Sequence, residues 1–153
     1  MNAENLAELP LFQGLNQEHL KFLALGVERE NHAREALIFA QGDPALKLFI
    51  LLEGRVAIRY KPYDGDVLPV AEINPNGVFG WSAALGRSTY TSGALCLDDS
   101  VMLSMRGETL KQLCVQHPET GVIILERLAE VIAQRLQNTH AHVIELLRNG
   151  VIS

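Results

Sequence analysis

At 153 residues, with 48% hydrophobic and 20% charged positions, the chain has the balance of a soluble globular protein and the length of one domain, 1–153, whose core needs no metal or disulfide staple. A formal net charge of −5, with no basic cluster to offset it, argues against a nucleic-acid footprint, so direct DNA binding is not expected. The start, Met1 to Asn5, lacks a positive region followed by an apolar core, and no apolar run is long and uninterrupted enough to span a bilayer, so the chain reads as cytoplasmic with no membrane contact.

Residues 1–26 read as a short helical lead-in. Asn16 can cap a helix with Leu20, Phe22, Leu23 and Leu25 on its apolar face and Gly26 at its end. Before it, Leu9 to Leu15 is irregular and apolar. From 27 to 105 the pattern becomes that of short strands between turn residues. Val27–Ala33 alternates weakly, and Leu37–Phe39 runs into Gln41-Gly42-Asp43-Pro44, a strong turn signal. Leu46–Leu52 is nearly all apolar, and Val56–Tyr60 follows Glu53-Gly54. Tyr63-Asp64-Gly65-Asp66 predicts a hairpin tip, because Asp-Gly supplies the positive φ of a tight turn. Val67–Ile73 returns, and its Pro69 predicts an edge strand or a bulge. After the Asn74–Gly77 turn and the extended Val78-Phe79, strands are expected at Tyr90–Leu97 and Val101–Met105. Some eight short strands at turn spacing predict a sandwich or jelly-roll barrel. Cys96 and Cys114 form no Cys-x-x-Cys pair and read as buried, reduced thiols.

From 106 to 153 the pattern is helical. Leu110 and Leu113 share a face of a short helix ending near Gln116; Pro118 fits the first turn of the next, with His117 as a cap and Glu119 near the positive end of its dipole. That helix is expected to run to about Arg148 and to end at Gly150. Leu125, Leu128, Ile132, Leu136, Thr139, Val143 and Leu146 recur at three- and four-residue steps, and so long a helix with one apolar stripe predicts a homodimer seam.

The segment 77–94 holds the chemistry. Val78-Phe79 meets Gly80, then the small-residue run Trp81-Ser82-Ala83-Ala84, a second Gly at 86, and Arg87 to Thr91. A Gly followed by a short helix aims backbone N–H groups at an anion. This stretch resembles the phosphate-binding cassette of the cyclic nucleotide-binding domain family. The likeness extends to Ile38-Phe39-Ala40-Gln41-Gly42-Asp43, Leu48–Leu51 and Glu53-Gly54-Arg55-Val56 in family order, and to Arg135-Leu136-Gln137-Asn138-Thr139, which is similar to the central helix of catabolite activator proteins. It implies an α+β fold: an eight-stranded antiparallel jelly-roll β-barrel with N-terminal helices and a long C-terminal helix. It also implies a cyclic nucleotide ligand, cAMP or cGMP, with Thr139 and His140 at the positions that reach the purine. No other cofactor is indicated, and the helix-turn-helix that reads DNA in the activators does not follow.

Two family anchors are missing. Trp81 stands where a Glu accepts from the ribose hydroxyl, and Tyr90, followed by the retained Thr91, stands where an Arg pairs with the phosphate. A charge-assisted hydrogen bond contributes roughly 1.5–3 kcal/mol, so such losses matter. Arg87 comes three residues early: either it swings in to the phosphate or it is an exposed loop residue. Trp81 either stacks on a ligand or packs into the barrel and fills the pocket. Thr139 and His140 have an alternative place at the seam and the surface. The expected ligand residues are therefore Phe79, Gly80, Trp81, Ser82, Ala83, Arg87, Tyr90, Thr91, Thr139 and His140. His140-x-His142 points two ways on a helix and cannot hold one ion, and no Ser or Cys sits in a nucleophile elbow, so neither a metal nor an enzyme is expected. The leading expectation is a stand-alone ligand-sensing regulatory module, binding a small anionic ligand and acting on an unknown effector protein. The alternative is a degenerate barrel serving as an interaction or dimerisation scaffold.

Overall fold

Turn residues cut the central sequence into eight strands at β1 (Val27–His32), β2 (Leu37–Phe39), β3 (Lys47–Glu53), β4 (Val56–Tyr60), β5 (Leu68–Ile73), β6 (Val78–Phe79), β7 (Gly93–Cys96) and β8 (Ser100–Arg106). The computed structural model describes residues 3–63 and 65–148; Asp64 of the expected hairpin tip and Gly150 of the expected helix end lie outside the described residues. All strand pairs are antiparallel and build two four-stranded sheets, β1-β8-β3-β6 and β2-β7-β4-β5, which face each other as a jelly roll. Pro69 lies on β5, the edge strand of its sheet, and the register slips between Ile58 and Arg59 beside it, so edge and bulge occur together. The Tyr90–Leu97 strand begins only at Gly93. The backbone of Tyr90 is instead tied to the Gly42-Asp43 turn, with Gly42 N–H donating to Tyr90 O at 2.9 Å and Tyr90 N–H to Asp43 O at 2.9 Å.

The helices are α1 (Ala3–Ala7), α2 (Gln17–Leu25), α3 (Gly107–Gln116) and α4 (Pro118–Arg148), with a 3-10 turn at Pro10–Phe12. Asn16 caps α2, its Oδ1 accepting from Glu18 N–H at 2.8 Å, and Leu20 and Leu23 are buried. Leu25 is not part of that face: it is 90% exposed, because Leu20, Leu23 and Ala24 turn inward and Leu25 projects from the other side of the helix. The His117 carbonyl accepts from Gly121 N–H at 3.0 Å at the start of α4, while its ring lies 4.0 Å from that of His19. Cys96 is buried and Cys114 half-buried.

Two apolar clusters form the interior. One joins Leu6, Phe12, Leu20, Leu23, Leu110, Leu113, Ile124 and Leu128 to the outer face of the first sheet. The other lies between the sheets around Phe39, Phe49, Leu51, Phe79, Tyr90 and Met102. Each such side chain contributes roughly 1.5–3 kcal/mol of burial, so the helices are held to the barrel from both ends of the sequence. The expected single stripe on α4 divides in two. Leu128 and Ile124 are buried in the first cluster with Val131 half-buried beside them, whereas Leu125 and Leu136 face outward at 37% and 66% exposure. The side chains of Val143 and Leu146 lie outside the described residues.

Candidate functional site

The cassette is set by Gly80. Its φ of +73° is one that side-chain-bearing residues avoid, and a Cβ there would lie 3.1 Å from the Lys47 carbonyl oxygen of β3. The chain then closes a 3-10 turn at Trp81–Ala83, with Ala83 N–H donating to Gly80 O at 3.4 Å and Ala84 N–H to Trp81 O at 2.9 Å. Inside the barrel mouth is a cavity of about 60 Å³ lined by both sheets, the cassette and α4. Of the residues expected at the ligand, Phe79, Gly80, Trp81, Ser82, Tyr90 and Thr91 line it. Ala83 is half-buried just beyond it, and Arg87 is exposed, its backbone N–H donating to Ser82 O at 3.1 Å. Thr139 lies on α4 away from the cavity with its hydroxyl donating to the Arg135 carbonyl at 2.9 Å, and His140 is exposed.

Beside the cassette turn the barrel interior is filled by Tyr90 rather than by Trp81. The Tyr90 ring stacks on Phe39 at 3.8 Å between centroids, extending the Phe39–Phe49–Phe79 group. Its hydroxyl donates to Lys47 O at 2.5 Å and accepts from Lys47 N–H at 3.1 Å. Burial pushes the Tyr90 phenol above its ordinary value, so it stays neutral at this wall. Trp81 stays half-buried at the mouth, packed against the helical cluster.

The cation of the site comes from α4. The Arg135 guanidinium lies 4.8 Å from the Trp81 ring centroid, and its Nη2 donates to Val78 O at 3.0 Å. Burial lowers its pKa from the ordinary value, yet a guanidinium remains charged. Among the described residues it has no carboxylate within ion-pair distance. A half-buried cation held only by a carbonyl and a ring can accept an anion. Reasoning from the leucine stripe missed this residue. The signal was there: Arg135 continues the barrel-facing positions Ile124, Leu128 and Val131 at helical spacing, and a charge on a core-facing stripe is an oddity that asks for a partner. Arg135 also borders an outer cleft of about 690 Å³ between α4, the segment after Pro10 and the β5–β6 turn.

Residues 29–117, more than half of the chain, match the sequence profile of the cyclic nucleotide-binding domain. The chain is 27% identical over 148 residues to a CRP-like cAMP-activated global transcriptional regulator of Mycobacterium tuberculosis, covering 97% of this chain and 64% of that protein. It is 32% identical over 107 residues to the global nitrogen regulator of a Synechocystis species, covering 69% of this chain and 48% of that one. The chain thus spans less than two thirds of the length of these relatives. The crystal structure of a candidate cyclic nucleotide-binding protein from Geobacter metallireducens superposes with a TM-score of 0.79 at 26% identity, covering 89% of this chain and 98% of that one. Barrel, cassette turn and long helix together with this match give one conclusion: the chain belongs to the cyclic nucleotide-binding domain family.

Proposed function

We propose that the chain is a non-enzymatic ligand-sensing regulatory module in which a small anionic ligand is held between the cassette and α4, with Arg135 supplying the positive charge that the cassette lacks. The observation that carries this reading is the Arg135 guanidinium, half-buried at the cavity mouth, over Trp81 and without a carboxylate partner among the described residues. A ligand that engages Arg135 touches the long helix directly, and a signal requires such a differential contact between states. By family, a cyclic nucleotide, cAMP or cGMP, is the first ligand class to test. Output passes to an effector protein, with a homodimer formed through the outward face of α4.

A second reading, the interaction scaffold, is favoured by one observation: the barrel cavity, at about 60 Å³, lies well below the roughly 300–1,000 Å³ of a small-molecule site. Calorimetric titration with cAMP and cGMP at low and moderate salt separates the two. Saturable binding at micromolar affinity, about −8 kcal/mol, that falls at least tenfold in Arg135→Gln is the sensing outcome. No heat and no thermal shift at millimolar nucleotide assigns the chain to the scaffold.

A further inference from the structure

A barrel cavity of about 60 Å³ takes in a nucleotide only if one of its walls gives way. Most of the walls are fixed. Phe39 and Phe79 are buried in the aromatic cluster, and Tyr90 is pinned by its stack on Phe39 and its two hydrogen bonds to Lys47. Ile58 stands on β4, which is paired on both sides, with β5 and with β7. The cassette turn cannot draw back either: a Cβ on Gly107 would collide with Ala83 O, so the far end of the turn is seated on the start of α3. Of the larger side chains at the mouth, that leaves Trp81 and Arg135. Resting on the sensing role proposed above, we infer that these two form an autoinhibitory gate: the Trp81 ring closes the mouth of the barrel, the Arg135 guanidinium holds it shut from α4, and the anionic group of the ligand opens it by taking the guanidinium for itself.

The gate is a competition for one cation. When closed, the guanidinium has two partners, the Trp81 ring at 4.8 Å from its centroid and the Val78 carbonyl, to which Nη2 donates at 3.0 Å. Both are weaker partners than an anion, because a ring quadrupole and a neutral acceptor compete with a full negative charge that takes two parallel hydrogen bonds from the guanidinium. Val78 lies on β6 and Trp81 follows Gly80, so this one side chain ties α4 both to the strand before the cassette turn and to the turn itself. A ligand that withdraws the guanidinium releases both ties at once and biases the position of α4.

The cost of the gate falls on affinity. A site that is open only part of the time binds with its intrinsic affinity reduced by the open fraction, so a protein without the gate binds more tightly than the parent. This sign separates a gate from a platform. A tryptophan that stacks on a base contributes to binding, and truncating it weakens the complex.

Trp81 is the sole tryptophan, so its fluorescence reports the gate directly. In the ligand-free protein Arg135→Gln should release the ring, giving red-shifted emission and acrylamide quenching about twofold stronger than in the parent. Unchanged emission and quenching overturn the latch. The parent, Trp81→Ala and Trp81→Phe are then titrated with cAMP and cGMP by calorimetry. Trp81 also packs against the helical cluster, so Trp81→Phe, which keeps an aromatic ring there, decides the outcome if Trp81→Ala loses the fold. Affinity roughly fivefold higher or more is expected in Trp81→Ala, with Trp81→Phe between it and the parent. Weaker binding in both variants, at unfolding midpoints near that of the parent, makes the indole a stacking platform; it overturns the gate and leaves the sensing role standing. No saturable heat up to millimolar nucleotide in the parent or in either variant overturns both.

Discussion

Tyr90 decides the shape of the barrel cavity, and it does so with one ring and one hydroxyl. The ring lies flat on Phe39, and the hydroxyl bridges the N–H and C=O of Lys47 at the start of β3. Tyr90→Phe keeps the stack and removes both hydrogen bonds, leaving the Lys47 backbone groups without that partner. The expected loss is about 1–2 kcal/mol, read as a lower urea midpoint at unchanged slope. A loss within a few tenths of that figure from zero would mean that the ring alone holds the wall. At this scale the sequence was informative about what is missing and less so about what replaces it. Trp81 and Tyr90 could be counted as departures from the cassette, because cassette spacing is local. That Tyr90 rather than Trp81 packs into the barrel interior depends on Phe39, some fifty positions away, which no local pattern reveals. Arg135 escaped for a related reason: apolar periodicity marks the leucines of a helix and says nothing about which polar residue faces the barrel.

Among the elements, turn chemistry located most strands, since Pro fixes φ, Gly admits the positive φ of tight turns and Asp bonds its own backbone wherever they stand. Asn16 placed the start of α2 and Pro69 the edge strand because both act through the backbone. The strand expected from Tyr90 failed because Thr-Tyr-Thr has strand propensity, while its backbone bonds go to the Gly42-Asp43 turn. The first sheet carries a pH dependence of its own. Glu30 on β1 lies 3.2 Å from Lys47 Nζ on β3 and 3.0 Å from His32 Nε2. Burial alone raises its pKa, but hydrogen bonds from Ser104, His32 and Lys47 outweigh this and hold the carboxyl below its ordinary value of 4.5. A depressed carboxyl contributes stability that is present above the unfolded pKa and lost as pH falls through the folded one. Glu30→Gln is therefore expected to be less stable than the parent by roughly 1 kcal/mol at neutral pH. The gap should close as pH falls from about 4.5 towards 3, measured as urea midpoints across that range. A gap independent of pH would place the effect in packing.

For the whole molecule, the decisive surface is the outward face of α4. Ile124 and Leu128 are buried against the barrel, so the helix is docked whether or not it has a partner. Leu125 at 37% exposure, Leu136 at 66% and Ile144 at 37% remain in water at the described positions. Leu125 and Leu136 lie about 90° around the helix from the buried Ile124 and Leu128, and exposed apolar side chains on a helix already anchored by its buried side favour association rather than folding. Leu136→Glu places a charge in the middle of this stripe and touches nothing in the core. It should leave the far-ultraviolet helix signal and the unfolding midpoint nearly unchanged, because surface substitutions usually stay within about 0.5 kcal/mol. In sedimentation equilibrium at micromolar concentration the parent is expected at twice the chain mass and Leu136→Glu at once. Leu128→Glu is the contrast: a carboxylate forced into the core should cost several kcal/mol and lose the fold before it reports on association. If the parent itself sediments as a single chain, the seam is not on α4. A ligand bridging α4 and the cassette would then act through the position of the helix within one chain instead of through the crossing of two helices.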